Sequence, residues 1–245
     1  MNAPTLPTRR RGDLGAVLFG LLFPALGTWI YFVVLKDYPE AVQRVAYAAE
    51  KGIQFGFPVV WVFWVRGEWP SWPARPWRGV GLGLAFGLTV GVVMLLLFYG
   101  WLMPAGHLSA AEAAIEKKLA GFGLSNLGRY VAFAAAYSLV HSLLEEYYWR
   151  WFVFGQLRRL IPPWWAIAVS ALGFMAHHVL VLGLFFGWLA PAIWCFSFGV
   201  ALGGAFWAWL YHHSGSLVGP WLSHLLVDAA IFTVGYQFAC GLPGG

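Results

Sequence analysis

The sequence predicts an all-α membrane protein, a polytopic helix bundle of about seven transmembrane helices, or eight. Three observations carry this expectation. Of 245 residues, 60% are hydrophobic and 10% are charged, where a soluble domain carries roughly 25% charge and about 45–50% apolar residues. Apolar runs near the ~20 residues a spanning helix needs recur along the whole chain. The 16 Trp and 30 Gly suit a bilayer, where Trp favours the headgroup level and Gly lets helices approach. This composition excludes a water-soluble globular enzyme and a disordered chain. The net charge of +5 comes from short basic clusters between apolar runs and forms no stripe, so no nucleic-acid partner is expected. Cys195 and Cys240 both lie in apolar segments, which excludes a disulfide framework and a four-Cys zinc site.

Seven stretches read as spans: 14–35, 41–65, 79–103, 127–157, 164–186, 188–211 and 216–240. The first follows Arg9, Arg10 and Arg11. Its apolar run is too long for a signal-peptide core and no small-residue cleavage site follows, so it reads as a retained helix. The second contains Arg44, Glu50 and Lys51, and charge bias decides in its favour. If it spans, Arg9, Arg10, Arg11, Arg66, Arg75, Arg78, Arg158 and Arg159 all fall on the inner side. The N-terminus is therefore expected in the cytoplasm and the C-terminus outside, and the compact length and arginine-flanked loops suggest a bacterial inner membrane. Residues 1–123 are expected to form a scaffold part and 124–245 the part that carries the site.

The connections carry little chemistry. The Pro- and Trp-rich stretch from Glu68 to Trp77 reads as an extended interfacial connection. Ser109 stands three residues before Glu112, a capping-box spacing that predicts a short surface helix ending near Gly121. Gly79, Gly83, Gly87 and Gly91 share one helix face, a close-packing stripe for a neighbour.

The chemistry lies in charges within spans. A charge at the centre of a spanning helix costs about 2.5–3.5 kcal/mol and faces a cavity or a partner. Glu145, Glu146, Arg150 and Asp228 are such groups, and His141, His177, His178 and His224 accompany them. Glu146 and Arg150 are four apart and predict an ion pair on one face. Glu145, about 100° round the helix, points elsewhere and is not neutralised by that arginine. His141 precedes Glu145 by four residues, and His224 precedes Asp228 by four. Counted from the inner helix ends, Glu145 lies about 18 Å deep, His178 about 21 Å, His224 about 12 Å and Asp228 about 18 Å. Three helices thus bring polar groups near the middle of a hydrocarbon layer about 30 Å thick, which predicts one shared, water-accessible site.

A carboxylate and a neutral histidine holding one water form a general-base pair for hydrolysis, and a second histidine would donate to the developing oxyanion. Ser138 and Ser142 stand apart from any His–acid pair, which argues against a covalent serine mechanism. His177 points about 100° away from His178 and is expected to pack; His212 and His213 are expected at the interface. No repeat relates the two halves, as a transporter would often show, and the scattered histidines do not suit a di-iron oxidase.

Three motifs then coincide: Glu145-Glu146-Tyr147-Tyr148-Trp149-Arg150 reads EExxxR, Phe174 to His178 reads FxxxH, and His224 to Asp228 reads HxxxD. In this order and within spans, roughly over residues 124–240, they resemble the CPBP family, which includes the type II CAAX prenyl proteases and bacteriocin-processing or immunity relatives. The resemblance implies a glutamate-dependent intramembrane endopeptidase in which Glu145 and His178 activate water, His224 and Asp228 serve the oxyanion, and Glu146 and Arg150 brace the site, with His141 supporting. Its implied partners are a membrane-tethered protein or peptide, cut at a C-terminal sorting tail, leader or CAAX-type end, and the lipid bilayer. Many members carry Asn where this chain has Asp228, and an ionised Asp repels an oxyanion. Asp228 is then protonated, or orients His224, or binds metal. No cofactor is expected; the alternative is zinc held by Glu145, His178, His224 and Asp228. A non-catalytic immunity-type binding protein and a transporter are the other readings kept.

Overall fold

The computed structural model describes residues 6–69, 73–106 and 126–239, with single positions between 112 and 124. Every regular element among the described residues is helical. In chain order these are α1 (Leu6–Trp29), α2 (Glu40–Val59), α3 (Val80–Leu97), α4 (Leu127–Glu146), α5 (Gly155–Leu160), α6 (Pro163–Phe186), α7 (Pro191–Ser214) and α8 (Val218–Ala239). Four π-helical runs extend the first four: Ile30–Val34, Val60–Val65, Phe98–Leu102 and Tyr147–Phe154. The last of these joins α4 to α5 without a break.

Local chemistry accounts for several boundaries. Asn126 caps α4, its side chain accepting the Arg129 N–H at 3.2 Å. Pro163 and Pro191 open α6 and α7, where a missing N–H costs nothing. α7 stops at Gly215, whose φ of +68° suits glycine. Ser109 and Cys240 lie outside the described residues, so the capping box and one cysteine are not placed.

Among the described residues, five helical spans are long and apolar enough to cross a membrane by length and composition: Gly12–Val34, Val80–Leu102, Pro163–Leu184, Ile193–Ser214 and Val218–Ala239. The helices running through Glu40–Val65 and Leu127–Phe154 are as long but more polar. In the first, Lys51 is paired with Glu50 at 3.2 Å and donates to Gln54 Oε1 at 2.8 Å, so its charges do not face the layer singly. The second carries Glu145, Glu146 and Arg150.

The packing gives each helix a direction. Gly12 faces Trp61 while Gly27 faces Glu50, so α1 and α2 are antiparallel. Arg66, after α2, pairs with Asp13 near the start of α1 and with Glu68 at 2.8 Å; Arg159 of α5 meets Glu68 at 2.7 Å. Three helix ends are thereby tied at one end of the bundle. α4 runs antiparallel to α8: Tyr130 donates to the Phe232 carbonyl at 2.6 Å and Trp221 to that of Leu139 at 3.0 Å.

α3 lies parallel to α8, and the glycine stripe is the reason they approach so closely. A Cβ on Gly83 would stand 2.3 Å from the Gly219 carbonyl oxygen, and one on Gly87 would stand 2.6 Å from that of Ser223. The core joins both parts of the chain: Ala16, Val17 and Val62 pack with Trp149, Phe152, Phe154, Phe174 and Trp207.

Candidate active site

The change from α- to π-helix after Glu146 places the two glutamates at the end of a regular segment and Arg150 inside the π run. Such runs are rare and concentrate at functional positions. This one is apolar and buried, with Tyr148, Trp149, Phe152, Val153 and Phe154 around Arg150. Tyr148 donates to the Gly20 carbonyl at 2.9 Å and Tyr147 to that of Phe55 at 3.1 Å, which fixes the run against α1 and α2.

Glu146 and Arg150 form a buried ion pair at 3.1 Å, with side chains 0% and 2% exposed. The guanidinium also lies 4.6 Å from the Phe174 ring centre and 4.9 Å from that of Trp207, so aromatic faces share its charge. Glu146 has a second partner from another helix: His224 Nδ1–H donates to Glu146 Oε1 at 2.8 Å. Trp207 stacks on the His224 ring at 4.2 Å and donates its own N–H to Ser223. The imidazole of His224 is thus held by a carboxylate at one edge and an indole across its face.

Its other nitrogen faces two carboxylates. His224 Nε2 lies 3.7 Å from Glu145 Oε2 and 3.5 Å from Asp228 Oδ1. Glu145 takes no part in the Arg150 pair. Its Oε1 is approached by His141 Nε2 at 3.5 Å and by His177 Nε2 at 3.6 Å. Three imidazoles from three helices therefore surround one carboxylate. All these separations exceed the ordinary hydrogen-bond range of about 2.7–3.2 Å, and Glu145 Oε2 is buried without a hydrogen-bond partner. His141 is the open side of the site: its side chain is 30% exposed, against 7% for Glu145 and 5% for His224.

α6 supplies two adjacent histidines, and their placement differs from the reading of the sequence. His177, expected to pack, presents Nε2 to Glu145 while its ring lies parallel to that of Trp149 at 5.8 Å. His178 donates from Nδ1 to the Phe174 carbonyl at 2.9 Å and has its ring 4.1 Å from that of His177. Among the described residues, it makes no contact with Glu145 of the kind His177 makes. The rotation of α6 about its own axis decides this, and the FxxxH spacing carries no information on it. Gly173, one turn before His177, was the available signal, because its bare face receives the Trp149 ring.

Asp228 has a partner the sequence did not suggest. Its Oδ2 lies 3.3 Å from His141 Nδ1. Ser142 donates to the Ser138 carbonyl and so is engaged with its own helix. His212 and His213 stand in the last turn of α7. For a metal, the residues that come together are His141, Glu145 and His224, with one donor atom each, all within 4.8 Å of one another. This donor set differs from the one read from the motifs, since it contains His141 and lacks both His178 and Asp228.

A buried carboxylate ringed by imidazoles inside a helical bundle is a set of groups able to hold and polarise a water. Residues 127–230 match the family model of type II CAAX prenyl endopeptidase Rce1-like proteins, which supports the resemblance to the CPBP family of intramembrane proteases. The matched stretch runs from the start of α4 into α8 and contains every residue of the site. Over 84 residues, 34% of this chain and 71% of the relative, the sequence is also 37% identical to a UPF0060 membrane protein of Cupriavidus pinatubonensis (strain JMP 134 / LMG 1197), whose name states a membrane setting and no activity. No solved structure matches the chain.

Proposed function

We propose that this integral membrane protein is an endopeptidase of glutamic type, in which Glu145 activates water to hydrolyse a peptide bond within the membrane plane. The observation that carries the reading is Glu145 itself: a buried carboxylate outside the Arg150 ion pair, facing three Nε2 atoms at 3.5–3.7 Å. A water held between carboxylate and imidazole gives its proton to Glu145 as it attacks the carbonyl, and the acid so formed returns the proton to the leaving amine. His224, fixed by Glu146, donates from Nε2 to the oxyanion. The family resemblance gives His178 the second hold on water; the distances favour His177 in that place.

The substrate is a membrane-tethered protein or peptide, cut at a C-terminal sorting tail, leader or CAAX-type end, entering past His141. The Arg66, Glu68 and Arg159 cluster supports an orientation with that end, and the N-terminus, in the cytoplasm of a bacterial cell. Comparing membrane proteins from cells with and without the chain identifies the shortened product. With that product as readout, Glu145→Gln lowers turnover by about 10²–10⁴-fold at an unchanged melting temperature; normal turnover by this variant overturns the mechanism. His177→Ala and His178→Ala, compared side by side, assign the water-holding imidazole.

A second reading is favoured by the closeness of His141, Glu145 and His224, a nitrogen and oxygen set that zinc accepts with a position left open. Bound there, zinc would polarise the carbonyl and acidify water. Activity lost to a chelator and restored by added zinc supports this reading; activity indifferent to chelation removes it.

A further inference from the structure

We propose that Asp228 and His141 form a positioning pair, in which Asp228 holds the imidazole so that its far nitrogen faces Glu145. The inference rests on the hydrolase reading above only for its effect on turnover; the pairing itself stands on geometry. Asp228 Oδ2 lies 3.3 Å from His141 Nδ1, across 87 residues of sequence and between two antiparallel helices. The same ring then presents Nε2 to Glu145 Oε1 at 3.5 Å. Tyr137 stacks on the ring at 4.5 Å and 20°, which fixes its plane and leaves its rotation within that plane to Asp228. An ionised carboxylate accepts hydrogen bonds and donates none, so Nδ1, facing Asp228, carries a proton.

This gives the acid at position 228 a task that the oxyanion does not require of it. Its Oδ1, 3.5 Å from His224 Nε2, lies beside a second imidazole, so one side chain approaches two of the three histidines around Glu145. At metal-bound histidines, a partner that orients the ring through its remote nitrogen matters about 10–100-fold, and the same scale is expected for this pair. The pairing also explains how an Asn is compatible with the position. An amide oxygen accepts from His141 Nδ1–H as a carboxylate does, whereas an alanine leaves the ring unheld.

Two measurements on the full-length protein in detergent test the pair. The first needs no activity. In protein carrying 15N-histidine, the His141 ring signals, assigned by their loss in His141→Gln, report Nδ1 protonated in wild type and Asp228→Asn. They shift in Asp228→Ala. Signals unchanged in Asp228→Ala overturn the pairing.

The second is kinetic, with a quenched-fluorescent peptide bearing a farnesylated CAAX-type end. His141→Ala and Asp228→Ala each lower kcat by about tenfold or more, with KM and melting temperature held, and the double variant is no slower than the worse single one. Asp228→Asn stays near wild type. Losses that multiply in the double variant, or Asp228→Asn as slow as Asp228→Ala, overturn the positioning role. A wild-type protein that leaves the peptide uncut counts against this substrate, and the ring signals still decide the pair.

Discussion

Glu146 shows how one buried charge can organise a site without entering the reaction. It forms an ion pair with Arg150 and accepts from His224 Nδ1, and its side chain is fully buried. Removing it leaves a guanidinium with two aromatic faces and no counter-ion, and breaking a buried pair in this way costs about 3–5 kcal/mol. Glu146→Ala is therefore expected to lower the melting temperature and turnover together, whereas Glu145→Gln lowers turnover alone; thermal melts of the two variants separate the roles. At this scale the sequence was legible along a helix and illegible across helices. Four-residue spacing brings Glu146 to Arg150, His141 to Glu145 and His224 to Asp228 on single helices, because α geometry alone sets those neighbours. The contacts from His224 to Glu146, His141 to Asp228 and His177 to Glu145 depend on how far each helix is turned about its axis. Side chains at other positions set that turn, so no local motif contains it.

At the scale of elements, the α3 stripe is what lets α8 bring His224 to Glu146. Gly87 abuts the backbone of Ser223, the residue before His224. A side chain at position 87 cannot be accommodated by rotamer change alone, since the atom it meets is a carbonyl. Gly87→Val is expected to cost about 1–3 kcal/mol by overpacking and to lower cleavage by displacing α8. Gly52→Ala, where nothing lies within 4 Å of the added carbon, should change neither melting temperature nor activity. The spacing of the stripe made its purpose readable in advance, but nothing in it named α8 as the neighbour. The π runs were not readable at all. Two follow prolines by a few residues, Pro24 in α1 and Pro58 in α2, yet the one at the site has no proline before it and takes its form from packing against α1 and α2.

For the whole molecule, the ionic cluster at one end is the feature that responds to conditions. Glu68 is held down to about 2, first by its hydrogen bonds from Arg159 and then, against the opposing effect of burial, by those from Arg66. A carboxyl group whose folded value is depressed contributes stability above its ordinary value of about 4.5 and loses it as pH falls toward about 2. The melting temperature in detergent should therefore drop between those values, and the drop should be smaller in Glu68→Gln. Reporter fusions test the orientation: one at the N-terminus should be active in the cytoplasm, one after Gly245 outside. The all-helical, polytopic character was plain from composition, because a low charge content permits little else. The number of crossings was less plain, since α2 and α4 hold their charges in pairs that hydropathy counts singly.

The π run from Tyr147 to Phe154 carries a consequence of its own. Each such turn holds roughly one more residue than an α turn, so the run absorbs an extra residue while the helix before it and the helix after it stay near one register. Straightening the run to ordinary α-helix at unchanged length would turn Glu145 relative to Leu157 by roughly the 100° that one α-helical residue carries, and the carboxylate would look toward a different neighbour.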